Sequence, residues 1–246
     1  MLMSYGVNHF YGYGMGGFGF LFDPTMILVW VGLILSLLAQ AKVKSTFAKY
    51  ERVRSVSGMT GAQAAERILH SAGIYDVSIA RVQGSLTDHY DPRSKTLRLS
   101  DSTYGSSSVA AVGVAAHECG HAIQHQQHYA PLGLRSALVP AANLGSTLAW
   151  PIFLVGLIAS LPFLTTAGIV LFSLAVLFQL ITLPVEINAS RRAVQLVEST
   201  GVLGSSESSG VRKVLTAAAL TYVASLAASI LQLLRLVILA GGRNRD

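Results

Sequence analysis

Three stretches of this chain contain no Asp, Glu, Lys or Arg: residues 24–41, 136–185 and 214–234. Apolar runs of that length constrain the fold more than anything else in the sequence. Inside a bilayer every backbone N–H and C=O must find its partner within the protein, which favours helices of about 20 mainly apolar residues. The first and third stretches fit one spanning helix each. The second fits two, with Pro162–Gly168 as the turn. This predicts spans at about 24–41, 145–163, 167–186 and 216–238. Only 12% of the 246 residues are charged, against about 25% in soluble domains.

The charges flank these runs unevenly. Lys42, Lys44, Lys49, Arg52 and Arg54 follow the first span, and no Lys or Arg precedes it. That asymmetry predicts an N-terminus outside and residue 42 in the cytoplasm. Arg212 and Lys213 place the start of the fourth span inside as well, but Arg235, Arg243 and Arg245 beyond it break the rule, as a tilted or re-entrant segment would. The formal charge of +6 comes without an Arg-rich run or an aromatic reader motif, so it excludes nucleic acid as the expected partner. Residues 1–23 are rich in Gly, Tyr and Phe and lack the basic start of an ordinary cleaved signal peptide. They read as a tail, and His9 within them has no expected metal role.

The expected organisation is therefore a tail at 1–23, a span at 24–41 and a catalytic region at 42–144. A transmembrane hairpin follows at 145–186, a cytoplasmic continuation at 187–215, and a last span with its tail at 216–246. Within the catalytic region, Thr60 and Gln63 have capping-box spacing ahead of a helix to Ser71. Residues 77–82 alternate as a half-buried strand, and 96–99 form a second strand after the turn Asp91-Pro92-Arg93-Ser94. A hairpin there would offer an edge to an extended peptide; His89 lies on it.

The chemistry concentrates at His117-Glu118-Cys119-Gly120-His121. On a helix the two histidines project from one face, one turn apart, and can share a Zn²⁺. Glu118 can take a proton from a water activated there. Cys119 is the only cysteine, which excludes an intrachain disulfide and a Cys-based zinc finger; it reads as a small filler. His125 is one turn too far along to join the same ion. The longer zinc motif would need a Gly and a His where Gln124 and Gln127 stand, so His128 is not its third ligand.

The hairpin supplies a third ligand. Two spans of equal length return the chain to the face it left, and Glu186 is the first charge to arrive. Two His and one Glu leave a fourth position for water, as in catalytic zinc sites. Small residues at Ala189, Ser190 and Ala193 share its helical face and would permit close approach to the metal helix.

Four segments together carry a family resemblance: Leu86-Thr-Asp-His-Tyr-Asp-Pro-Arg93, Val114-Ala-Ala-His-Glu-Cys-Gly-His-Ala-Ile-Gln-His125, Leu134-Arg-Ser-Ala-Leu-Val-Pro140 and Leu183-Pro-Val-Glu-Ile-Asn-Ala-Ser-Arg-Arg-Ala193. The chain resembles the bacterial YugP-type neutral zinc metallopeptidases from about residue 24 to 238. The resemblance implies a gluzincin-like membrane metallopeptidase with His117, His121 and Glu186 as metal ligands and Glu118 as the catalytic glutamate. A more distant likeness is to the HtpX and CAAX-processing membrane proteases, whose third-ligand motif has an Asp four residues after the Glu. Here Ser190 holds that place, with Asn188 nearby.

The expectation is a mainly α, four-span bacterial plasma-membrane protein with a small α+β metallopeptidase region facing the cytoplasm. It would use Zn²⁺ to hydrolyse peptide bonds in membrane or membrane-associated proteins. Its partners would be a peptide or protein substrate, the lipid bilayer, and a second copy or another membrane protein. His89, Tyr90, Asn188 and Ser190 are candidates for substrate contact or for orienting a ligand. Tyr90, Tyr129, His89 and Arg191 are equal candidates for stabilising an oxyanion. The rival classes are a scaffold with a structural metal and an inactive partner of another membrane protease.

Overall fold

The computed structural model describes residues 23–242, so the expectations for the N-terminal tail, Arg243 and Arg245 lie outside the described residues. The architecture is mainly α with one small sheet. In order, the elements are α1 (Met26–Glu51), α2 (Gly61–Ser71), β1 (Ser78–Val82), β2 (His89–Asp91), β3 (Thr96–Ser100), α3 (Asp101–Tyr104), α4 (Val109–Gln126), α5 (Ala130–Ile158), α6 (Pro162–Ser199) and α7 (Ser205–Gly242). Four of them, α1, α5, α6 and α7, are long and apolar enough to cross a membrane. Their outward faces are what a lipid solvent would select: Trp30 is 54% exposed, Leu38 63% and Phe163 80%. In water each would be a costly apolar surface.

The spans differ from expectation at their ends. The α5–α6 turn is only Ala159–Leu161, with Ser160 at φ 58°. Pro162 is the first residue of α6, where its missing N–H costs nothing. Gly168 lies inside α6, and a Cβ there would meet Phe153 of α5 at 2.6 Å, so the glycine serves close helix contact. Residues 187–215, expected as a cytoplasmic continuation between spans, mostly complete α6 and begin α7, leaving a short loop from Thr200 to Gly204. Pro140, Pro151 and Pro184 all sit within helices, where packed neighbours compensate the lost hydrogen bond.

α7 runs antiparallel to α1 along most of its length. Gly32 approaches Ala228 and Gly210 approaches Tyr50. At the far end Arg235 Nη2 meets Asp23 Oδ2 at 3.1 Å, and Arg235 Nε donates to Thr25 Oγ1 at 3.3 Å. Arg235 is 3% exposed. It is a buried, neutralised charge, so it does not weigh against the topology as a free juxtamembrane Arg would.

The sheet order is β1-β3-β2. The expected hairpin of 77–82 with 96–99 is corrected: β1 pairs parallel to β3, Ser78 opposite Thr96. The antiparallel partner of β3 is β2, His89 opposite Arg98, a strand that the alternation pattern does not mark. Asp91 makes the tight return. It accepts from Arg93 N at 3.0 Å and Ser94 Oγ at 2.7 Å, and pairs with Arg98 at 3.1 Å. Leu97 and Leu99 of β3 are fully buried against α2 and α4. In α2 the Thr60–Gln63 capping box is present. Ser108 caps α4 by accepting from Ala111 N. α4 is buried along nearly its whole length between α2, α6 and α7.

Candidate metal centre

Two close approaches position the site. A Cβ on Gly120 would come within 2.8 Å of Ala189 O, so α4 and α6 touch backbone to backbone here. That contact brings His117 and His121 of α4 against Glu186 of α6. His117 Nε2 lies 3.2 Å from Glu186 Oε2, and His121 Nε2 lies 3.5 Å from the same oxygen. Donors spaced about 2.0–2.2 Å from a shared tetrahedral ion stand roughly 3.3–3.5 Å apart. The three ligand atoms all fall within 4.8 Å of one another. Donor type and spacing therefore fit Zn²⁺.

Hydrogen bonds behind the histidines orient both rings and fix the tautomer of His121. Gln124 is completely buried. Its Nε2 donates to Val185 O and to Asn188 Oδ1, each at 2.9 Å. A carbonyl can only accept, so the amide orientation is set and Oε1 faces His121 Nδ1 at 3.0 Å. His121 must donate from Nδ1, which leaves the Nε2 lone pair pointing at the shared site. Ser190 Oγ stands 3.2 Å from His117 Nδ1 and can accept in the same way. Ser190 thus stands behind His117 as Gln124 stands behind His121.

Electrostatics agree. Burial by itself would lower the His121 imidazole, but the Glu186 contact and the charges of Glu118 and Glu186 hold it above its ordinary value. That field is one a cation would occupy. Glu186 Oε1 accepts from Arg135 Nη1 of α5 at 3.1 Å. Burial pushes the Cys119 thiol well up, consistent with a filler residue.

A cavity of about 700 Å³ opens over these groups. Glu118 lines it and is 7% exposed. His89, Tyr90 and Tyr129 line it too, but Arg191 does not. His89 is exposed, with Nδ1 2.9 Å from Thr87 O, as a turn histidine. Tyr90 OH bonds His125 Nδ1 at 2.9 Å, which explains His125 without a metal. Asn188 reaches the site only through Gln124, while Arg192 donates to it at 2.8 Å. Sequence reasoning missed Gln124, Arg135 and Tyr222, all in the cavity wall. Arg135 had one legible signal: it is the last charge before the long uncharged run, as Glu186 is the first after it.

A family model described as "Putative neutral zinc metallopeptidase" matches residues 25–241. The chain belongs to this zinc metallopeptidase family. Zn²⁺ is accordingly the cofactor that family membership implies, and the donor set suits it. The chain is 50% identical over 222 residues to "Putative membrane protease YugP" of Bacillus subtilis (strain 168), covering 90% of this chain and 99% of that protein. No solved structure matches the chain. With four apolar helices, this family member is a multi-pass membrane protein.

Proposed function

We propose that the protein is a zinc metalloendopeptidase that cleaves membrane or membrane-associated proteins at the cytoplasmic face. The convergence of His117, His121 and Glu186 on one point carries this reading. His117 Nε2, His121 Nε2 and Glu186 Oε2 would hold the ion. When bound, Zn²⁺ supplies Lewis-acid polarisation of the scissile carbonyl and makes water acidic enough to attack near neutral pH. Glu118, in the cavity beside the histidines, accepts the proton of the attacking water and passes it to the leaving amine. Ser190 and Gln124 keep the imidazoles oriented. The edge strand β2 forms part of the cavity wall, so an extended peptide can align along it beside α4.

The substrate class follows from the depth of the cavity. Its wall includes Val139 and Tyr222, which belong to spanning helices. A site sunk to that level meets chains held in or against the bilayer. The cytoplasmic orientation rests on the basic cluster at residues 42–54 together with Arg212 and Lys213. The catalytic region at 42–144 and the stretch 187–215, carried on α6 and the start of α7, would share that side.

The deciding experiment measures zinc content and peptide cleavage in purified full-length protein. Glu118→Gln should keep its zinc and lose turnover, since an amide cannot accept the proton. Glu186→Ala should lose zinc under mild chelation, whereas His125→Ala should retain it. Wild-type turnover in zinc-loaded Glu118→Gln removes Glu118 from the mechanism, and full zinc retention in Glu186→Ala removes the third ligand.

A further inference from the structure

A second groove lies away from the metal centre, where α1 and α7 meet the membrane boundary. It encloses about 530 Å³. Lys42 and Lys49 of α1 and Arg212 and Lys213 of α7 line it, and no Asp or Glu does. All four side chains are exposed. Five other cations are paired: Arg81 with Asp101, Lys95 with Asp76, Arg98 with Asp91, Arg135 with Glu186 and Arg235 with Asp23. The four groove cations have no acidic partner among the described residues. Lys49 rests 5.7 Å over the Tyr50 ring, which leaves its charge uncompensated.

Position gives the groove two chemical ends. The uncharged run of α1 stops at Ala41, and that of α7 starts at Val214. Ala217 and Leu220 lie at the apolar end of the groove, level with Lys42, while Lys49, Arg212 and Lys213 lie toward its polar end. Basic side chains gathered on one concave surface repel one another unless an anion sits among them. An anion with an apolar tail satisfies both ends. Basic pockets between spanning helices take phospholipid headgroups for this reason.

We propose that this groove binds an anionic phospholipid, its phosphodiester held by Lys42, Lys49, Arg212 and Lys213 and its glycerol end against Ala217 and Leu220. The bland alternative is that these charges only set topology, which requires no shared concavity and no headgroup preference.

The test uses full-length protein in nonionic detergent, with phosphatidylglycerol and phosphatidylcholine of identical acyl chains titrated and bound lipid counted by native mass spectrometry. Phosphatidylglycerol should saturate one site, and phosphatidylcholine should bind far more weakly. Lys42→Gln with Lys213→Gln should weaken phosphatidylglycerol about 30-fold, two basic groups at roughly 1 kcal/mol each. Lys44→Gln with Arg52→Gln removes the same charge from exposed positions outside the groove and should stay near wild type. Equal losses in the two double variants, or equal binding of the two lipids by wild type, overturn the proposal. Displacement by millimolar inorganic phosphate overturns it too, since the site would then be one for free phosphate. The wild-type comparisons decide the matter even if a variant inserts poorly.

Discussion

Replacing Gly120 by Ala should loosen the metal centre without touching a ligand. The added Cβ would stand 2.8 Å from Ala189 O and 3.2 Å from its Cα, both backbone atoms of a packed helix. Neither can swing aside, so α4 and α6 must part by about 0.6 Å to regain ordinary contact. Metal sites tolerate displacements of only about 0.2 Å in ligand distance. His117 and His121 ride on one helix and Glu186 on the other, so the separation acts directly across the site. Overpacking costs about 1–3 kcal/mol. If zinc binding must pull the helices back together, its affinity falls by roughly 5- to 150-fold, since each 1.4 kcal/mol is about tenfold. A chelator competition titration on purified protein reads this directly. Gly133→Ala on α5 is the control, because a Cβ there meets nothing within 4 Å. Zinc affinity of Gly120→Ala within twofold of the control would refute the claim that this contact sets the ligand spacing.

Three further outcomes follow from other contacts. Gln124→Ala removes the acceptor that fixes the His121 tautomer, and zinc affinity should drop about 10- to 100-fold in the same titration. Asp23→Ala removes the carboxylate paired with the buried Arg235; it should destabilise the fold by about 3 kcal/mol, seen as a lower Tm in detergent, with much of the loss recovered when Arg235→Leu is added. Asp101 is held below the usual carboxylate range by the Gly84 N–H and by Arg81. Its contribution is complete above the unfolded value near 3.9 and is lost as pH falls through the lower folded value. The Tm deficit of Asp101→Asn at pH 7 should therefore shrink below about pH 4.

The parts of this fold legible in sequence were those with a local rule. Uncharged runs marked four long helices, and the i, i+4 histidines marked the metal helix. Glu186 was reachable because an out-and-back hairpin has nearly zero net displacement, which is geometry rather than pattern. The α5–α6 turn was misplaced because Pro162 and Gly168 read as breakers, whereas Pro begins a helix well and Gly packs one closely. The parallel pairing of β1 with β3 was hidden because alternation shows a strand's faces but not its neighbour. Gln124 and Tyr222 carried no signal: each faces residues of another helix, and no spacing rule links residue 124 to 185 or brings 222 to the cavity wall. Arg235 misled for the same reason, since the Asp23 that neutralises it is 212 residues away.

The pairing of α1 with α7 also orders events during synthesis. Among the described helices α7 is made after all the others, yet it lies along α1 and walls the cavity with Tyr222. It also covers α4, with Val211 packed onto Gly113. Until it docks, Asp23 waits without Arg235 and the N-terminal half of α4 stays bare on one side. A nascent chain that has already made His117, His121 and Glu186 therefore still lacks part of the cavity wall above them. On the proposed reading, translation that stalls before α7 yields an unfinished vessel rather than an unguarded protease loose among newly inserted membrane proteins.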